Sequence, residues 1–171
     1  MLDTTPLRDA YRALLEAAAT VADSVADFGE AIPPVGEWNA DQILAHVALV
    51  NAATITAVSS VAGGAITTYD NRAASDTWTL ERVIALAGGN AGLADRIRFQ
   101  ADALCALGLM LSETELDTLL PTLLLSNDTV LVDQPMPLRD LITGLAEAEL
   151  PGHTKQLLAL LPDTTMATTT A

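Results

Sequence analysis

Aromatic side chains are scarce in this 171-residue chain, with two Trp, two Tyr and two Phe making up 4% of it. A core without many large rings must be assembled from small aliphatic contacts. Half of the residues are hydrophobic, and the Ala and Leu that dominate them favour helices. A single cysteine, Cys105, excludes an intramolecular disulfide and any multi-thiolate zinc cluster. Its apolar surroundings, Ala103 to Leu111, mark it as a buried, inert thiol. Cations are equally rare, with eight Lys and Arg against 22 Asp and Glu, a formal net charge of −14, and Lys155 as the sole lysine. With no basic run to track phosphates, nucleic acid is not an expected partner. The N-terminal residues, with Asp3 and Arg8, lack the apolar core of a secretory signal, so a cytoplasmic location is expected. Charge is also absent from Ile43 to Tyr69, a stretch long enough to span a bilayer. His46, Asn51, several Thr and Gly63-Gly64 interrupt it, so the expectation is a buried helix followed by a polar loop, with no membrane partner.

What is present is helical periodicity. From Pro6 to Phe28, Leu7, Tyr11, Leu14, Ala18, Val21, Val25 and Phe28 recur at three- and four-residue spacing, one apolar stripe. Thr5 is placed to cap it, and Gly29 to end it. A linker, Glu30 to Trp38, follows with Pro33-Pro34 and Gly36. Asn39 with Gln42 forms a capping-box pattern that opens a second helix, expected to run to about Val61 and stop at Gly63-Gly64. Its inward face is Ile43, His46, Val47, Val50, Thr54 and Ala57. After a loop from Ala65 to Trp78, a third helix is predicted from about Thr79 to Leu107, weakened at Gly88-Gly89. Ser112 to Glu115 is a second capping box, starting a short helix ended by Pro121. Thr122–Leu125 and Thr129–Val132 flank Ser126-Asn127-Asp128 as a small β-hairpin. A fourth helix is predicted from Pro137 toward Leu161. The fold class is thus all-α: an up-and-down four-helix bundle with long crossover loops and one short hairpin before the last helix. Residues 1–163 form one domain, and Thr164 to Ala171 form a Thr-rich disordered tail.

Chemistry concentrates at the two histidines. His46 and His153 each fall on the apolar stripe of a helix, and Glu149 lies one turn before His153 in Ile142, Leu145, Glu149, His153, Leu157, Leu160. A carboxylate and an imidazole in such a stripe require a partner. A hydrogen-bonded core pair satisfies that requirement, and so does a metal. Two imidazoles and one carboxylate suit zinc or another first-row divalent ion, and three protein ligands leave an open coordination position. Pro151-Gly152 opposes this arrangement, because a proline there is expected to kink the helix between the two ligands. Glu147 is the alternative carboxylate. Trp38 and Trp78 read as core or pocket-wall residues. Asn51 and Thr54 are candidates to line a cavity, Arg72 and Arg82 to hold a substrate carboxylate or pair on the surface, and Gln156 to orient a ligand.

The segment Trp38-Asn-Ala-Asp-Gln-Ile-Leu-Ala-His46-Val resembles the second-helix signature of the DinB-like metal-binding bundles, in which a Trp precedes a capped helix carrying the first ligand His. Glu149-Leu-Pro-Gly-His153-Thr-Lys-Gln156 resembles their fourth-helix signature, and its leading Glu is similar to that of the mycothiol-dependent maleylpyruvate isomerase branch. Tyr69-Asp-Asn-Arg-Ala is similar to the loop before the third helix of that superfamily. The resemblance implies His46, Glu149 and His153 as metal ligands. It also implies a divalent metal, zinc, working with mycothiol or a similar low-molecular-weight thiol on a small electrophile, as an S-transferase or isomerase. The high Ala content and the excess of Arg over Lys suit a GC-rich, actinobacterial-like, mycothiol-using host. The alternative is a non-catalytic helical bundle that binds a small molecule or a protein partner, with the metal site absent or a relic. A homodimer is compatible with either.

Overall fold

The computed structural model describes residues 2–29, 33, 36–126 and 129–162. The expected linker residues 30–32 and 34–35, the turn residues 127–128, the Thr-rich tail and the side chain of Phe28 lie outside them. The described chain is mostly helical, with a few short strands. Helix α1 spans Thr5–Phe28 and α2 spans Ala40–Ala62. A two-residue strand β1 (Tyr69–Asp70) and a 3₁₀ turn (Arg72–Ala74) precede α3 (Thr77–Ala87) and α4 (Asn90–Met110). Next come α5 (Glu113–Leu116) and the strands β2 (Leu119–Leu120), β3 (Thr122–Ser126), β4 (Thr129–Asp133) and β5 (Met136–Pro137). The chain closes with α6 (Leu138–Gly144), a π turn (Leu145–Glu149) and α7 (Leu150–Leu158).

Capping chemistry sets several of these boundaries. Asn39 accepts the Gln42 N–H while the Gln42 amide oxygen accepts the Asn39 N–H, the full reciprocal box. Ser112 and Glu115 repeat it at α5. The start of α1 differs from expectation. Thr5 is the first helical residue instead of the cap, Thr4 before it makes no side-chain capping bond, and the Thr5 N–H is taken by the Asp3 carboxylate at 2.9 Å. Helix α2 stops at Gly63, as its glycine pair requires.

Helix α4 packs against both α1 and α2, and the α6–π–α7 segment packs against α1 and α2. Leu14, Leu44, Leu93, Ile97, Leu150 and Leu157 are fully buried where these elements meet. Helix α2 is long and apolar enough to cross a membrane by length and composition, and 61% of its most apolar window is buried by its neighbours here. The whole inward face read from sequence, including His46 and Thr54, is buried.

Three corrections concern the connections. The single third helix is two helices, because Gly88 and Gly89 both take positive φ (80° and 85°), a conformation that side-chain-bearing residues rarely adopt. The short helix α5 ends at Leu116, before β2, so Pro121 lies between β2 and β3 instead of terminating it. The expected hairpin, β3 with β4, is joined by β1, which pairs parallel to β3 with Tyr69 opposite Thr122. Strands β2 and β5 form a second, antiparallel pair at the foot of α6.

Candidate metal centre

The last helical segment crosses Pro151 without losing its helical run. Proline lacks an N–H donor, and its ring collides with the carbonyl one turn earlier. The chain widens to a π turn immediately before it, with the Leu150 N–H bonded to the Leu145 carbonyl five residues back. Glu149 and Leu150 keep right-handed helical dihedrals. Pro151 then occupies the first turn of α7, where a missing donor costs nothing. The kink expected between Glu149 and His153 is absent, and a π turn ending at Glu149 takes its place, a feature frequent at functional sites.

Across this turn Glu149 and His153 stay stacked on one face, and α2 brings His46 to them. One carboxylate oxygen, Glu149 Oε1, lies 2.8 Å from His46 Nε2 and 3.1 Å from His153 Nε2. The imidazole centroids are 4.7 Å apart. One ligand atom from each of the three residues lies within 4.8 Å of the others. Both histidines are buried, and the Glu149 side chain is 34% exposed, so the cluster meets solvent at Glu149. This buried cluster could hold a metal ion. Glu147 is exposed and takes no part.

The far nitrogen of each ring is also committed. His46 Nδ1 lies 2.8 Å from the Ala74 carbonyl, in the 3₁₀ turn. A carbonyl can only accept, so His46 Nδ1 carries the proton and donates it. His153 Nδ1 lies 2.7 Å from the Gln156 amide oxygen and donates to it. Both Nε2 atoms are thereby aimed at the same point beside Glu149. A neutral ring held in this tautomer presents a lone pair there, facing a carboxylate lone pair. That arrangement is favourable only with a cation between them, either protons on the rings or a metal. The donor set fits a divalent first-row ion: two Nε2 atoms with backed Nδ1–H groups and one carboxylate.

Electrostatics agrees with this geometry. Burial alone would raise the Glu149 carboxyl, but hydrogen bonds from His153 and His46, with the charge of those rings, outweigh it and hold the group well below the usual carboxylate range. Tyr69 is pushed up by burial and further by the negative charge of Glu149, with a hydrogen bond to Thr54 opposing. Trp38 walls the cluster, its ring 4.8 Å from His46 and stacked 6.4 Å from His153.

The other sequence candidates lie elsewhere. Asn51 accepts from Tyr11 Oη at 2.6 Å and donates to Gln100, and Thr54 bonds Val50 and Tyr69, so both are tied into the buried helix packing instead of lining a cavity. Arg72 pairs with Asp70. Arg82 lies over the ring of Trp78, which is 69% exposed and so not a core residue. Cys105 is buried, as expected. Sequence reasoning missed the Ala74 carbonyl, because a backbone acceptor leaves no residue-type signal. No family model matches this chain, and neither does any curated protein or solved structure.

Proposed function

We propose that this chain is a DinB-like, up-and-down four-helix bundle in which His46, Glu149 and His153 hold a divalent metal, zinc. We further propose that it acts with a low-molecular-weight thiol of the mycothiol type on a small electrophile, as an S-transferase or isomerase in the cytoplasm. The observation that carries the metal reading is the commitment of His46 Nδ1 to the Ala74 carbonyl, which turns Nε2 toward Glu149 and His153. The ion would supply Lewis acidity at an open position, making a thiol or water there easier to deprotonate. The protein's own groups do the rest. Gln156 and the Ala74 carbonyl fix the two rings, Trp38 packs over both, and the exposed edge of Glu149 marks where a small molecule reaches the cluster. The thiol-transfer part of the proposal rests on the resemblance of residues 38–47 and 149–156 to that superfamily.

The test is metal content, measured by plasma mass spectrometry on tag-free protein beside His46→Ala. About one equivalent in the parent and little in the variant supports the site and directs thiol-transfer assays to it. No metal in the parent, even after incubation with zinc, rejects it.

One observation favours a second reading, a non-catalytic bundle that binds a small molecule or protein partner. Glu149 Oε1 lies within hydrogen-bond distance of both Nε2 atoms, so the triad can close on itself when protons on the rings take the place of a metal. A separate cavity of about 360 Å³, lined by Val21, Val25, Asn39, Asn90 and Leu160, lies at the opposite end of α7 from Glu149 and offers such a bundle a binding place.

A further inference from the structure

The ring of His46 is held by a carbonyl in a connecting segment, so something must hold that carbonyl. The segment between α2 and α3 packs on α2 and β3, and its backbone pairs with β3 through β1, where Tyr69 N–H donates to the Pro121 carbonyl and Asn71 N–H to the Leu123 carbonyl. Beyond Asn71 the main chain turns away into the 3₁₀ turn, and the backbone ladder with β3 ends. The Asn71 side chain continues it. Its Nδ2 donates to the Leu125 carbonyl at 2.9 Å, and its Oδ1 accepts the Leu125 N–H at 2.8 Å. The amide thus stands in for a strand residue, at the point where the β3–β4 pairing itself shifts register between Leu124 and Leu125. Meanwhile the Asn71 backbone carbonyl accepts the Ala74 N–H at 2.9 Å, closing the 3₁₀ turn. Ala74 is therefore fixed on its N–H side by a residue whose side chain is clamped to β3. On its C=O side it presents the acceptor for His46 Nδ1–H. Asn71 is only 8% exposed, so neither half of its amide can trade these partners for solvent without cost.

We propose that Asn71 is a positioning residue for the metal centre. Clamped on Leu125, it sets the 3₁₀ turn that aims the Ala74 carbonyl, and through it the tautomer and direction of His46. Its chemical consequence rests on the metal reading above. The hairpin and the centre are then one mechanical unit, although no hairpin side chain belongs to the ligand cluster.

Two variants separate positioning from bulk. Asn71→Ala removes the clamp. Asn71→Asp keeps shape and the acceptor for Leu125 N–H but places an oxygen against the Leu125 carbonyl. Ser112→Ala, which removes the α5 cap, serves as a comparably destabilised control far from the clamp. Two quantities are read on each full-length protein. One is Zn²⁺ affinity by chelator competition. The other is the His46 Nδ1–H signal in long-range ¹H–¹⁵N spectra of metal-stripped protein. Both Asn71 variants should bind Zn²⁺ about 10–100-fold more weakly, the usual effect of losing an outer hydrogen bond to a ligand, and should lose the protected Nδ1–H signal. Ser112→Ala should change neither. Parent-like affinity and a parent-like Nδ1–H signal in Asn71→Asp overturn the proposal and leave the metal reading intact. A parent that binds no Zn²⁺ overturns the metal reading. The ring signal then decides on Asn71 alone: its loss in both variants supports the clamp, and its persistence refutes it.

Discussion

Restoring a divalent ion to stripped protein should raise the melting temperature sharply in the parent and hardly at all when one ligand is changed. A ligand that binds only the folded state stabilises it by RT ln(1 + [L]/Kd), about 4.1 kcal/mol at a thousandfold excess over Kd. For a chain of this size each kcal/mol moves the transition by roughly 2–4 °C, so the parent should gain about 8–16 °C. Glu149→Gln keeps the length of the side chain and an oxygen acceptor for one ring, so the metal-free fold should survive. Losing one hydrogen bond to a charged partner there costs about 1.5–3 kcal/mol, toward the lower figure because the side chain is 34% exposed. The same substitution removes the one anionic group from the proposed set of three ligands. Should Kd rise until it equals the metal concentration, the gain shrinks to RT ln 2, about 0.4 kcal/mol, or roughly 1–2 °C. Calorimetric scans with and without Zn²⁺, on parent and Glu149→Gln, measure both quantities. An equal gain in the two proteins would refute the reasoning, since the ion would then be binding elsewhere on a chain of net charge −14.

Asn39→Ala opens the capping box of α2 and should cost about 1 kcal/mol, seen as an earlier urea midpoint with an unchanged slope. Gly92→Ala places a Cβ 1.8 Å from the Ala87 carbonyl oxygen, so the α3–α4 corner must open; a loss of about 3 kcal/mol, the upper end for overpacking, is expected in the same assay. Asp76 caps α3 through the Thr79 N–H and hydroxyl, and those hydrogen bonds hold its carboxyl below its ordinary value. Because the folded-state value is depressed, its contribution is present above the unfolded value near 3.8 and disappears as pH falls through the folded one. Parent and Asp76→Asn should therefore differ more in melting temperature at pH 6 than at pH 3, and a gap that widens on acidification would contradict the capping account.

Sequence patterns made the helices legible where local chemistry decides. The boxes at Asn39 and Ser112, the glycine stop at Gly63 and the buried face of α2 are properties of neighbouring residues. The three-residue cluster was legible for the same reason, since one-turn spacing sets Glu149 beside His153 and the stripe of α2 turns His46 inward. Long-range pairing was not legible. Strand β1 is two residues long and gains its identity only from β3, more than fifty positions later. The division at Gly88-Gly89 was visible as a weakness, but only the two positive φ angles make it a break. Trp78 was misjudged because its aromatic character argues for burial, while its place on the outer side of the first turn of α3 leaves it in solvent beside Arg82.

Pro151 shows how a residue that counts against a site can belong to it. A regular α-helix through position 151 would set the proline ring against the Glu147 carbonyl, and relief by a kink would swing Glu149 away from His153. The π turn relieves the same clash by adding width on the N-terminal side only. Everything from Glu149 onward keeps its one-turn relation, so Oε1 and His153 Nε2 remain 3.1 Å apart. The turn also resets the rotation of α7 relative to α6. Leu138 and Leu141 before it, Leu145 at its first position, and Leu150, His153 and Leu157 after it thereby all remain buried. The steps of three, four, five, three and four residues average more than 3.6, so over that length they would drift off one face of a uniform helix, and the wide turn absorbs the drift. A buried apolar stripe and a shared carboxylate thus place the same demand on the backbone, and the π turn meets both.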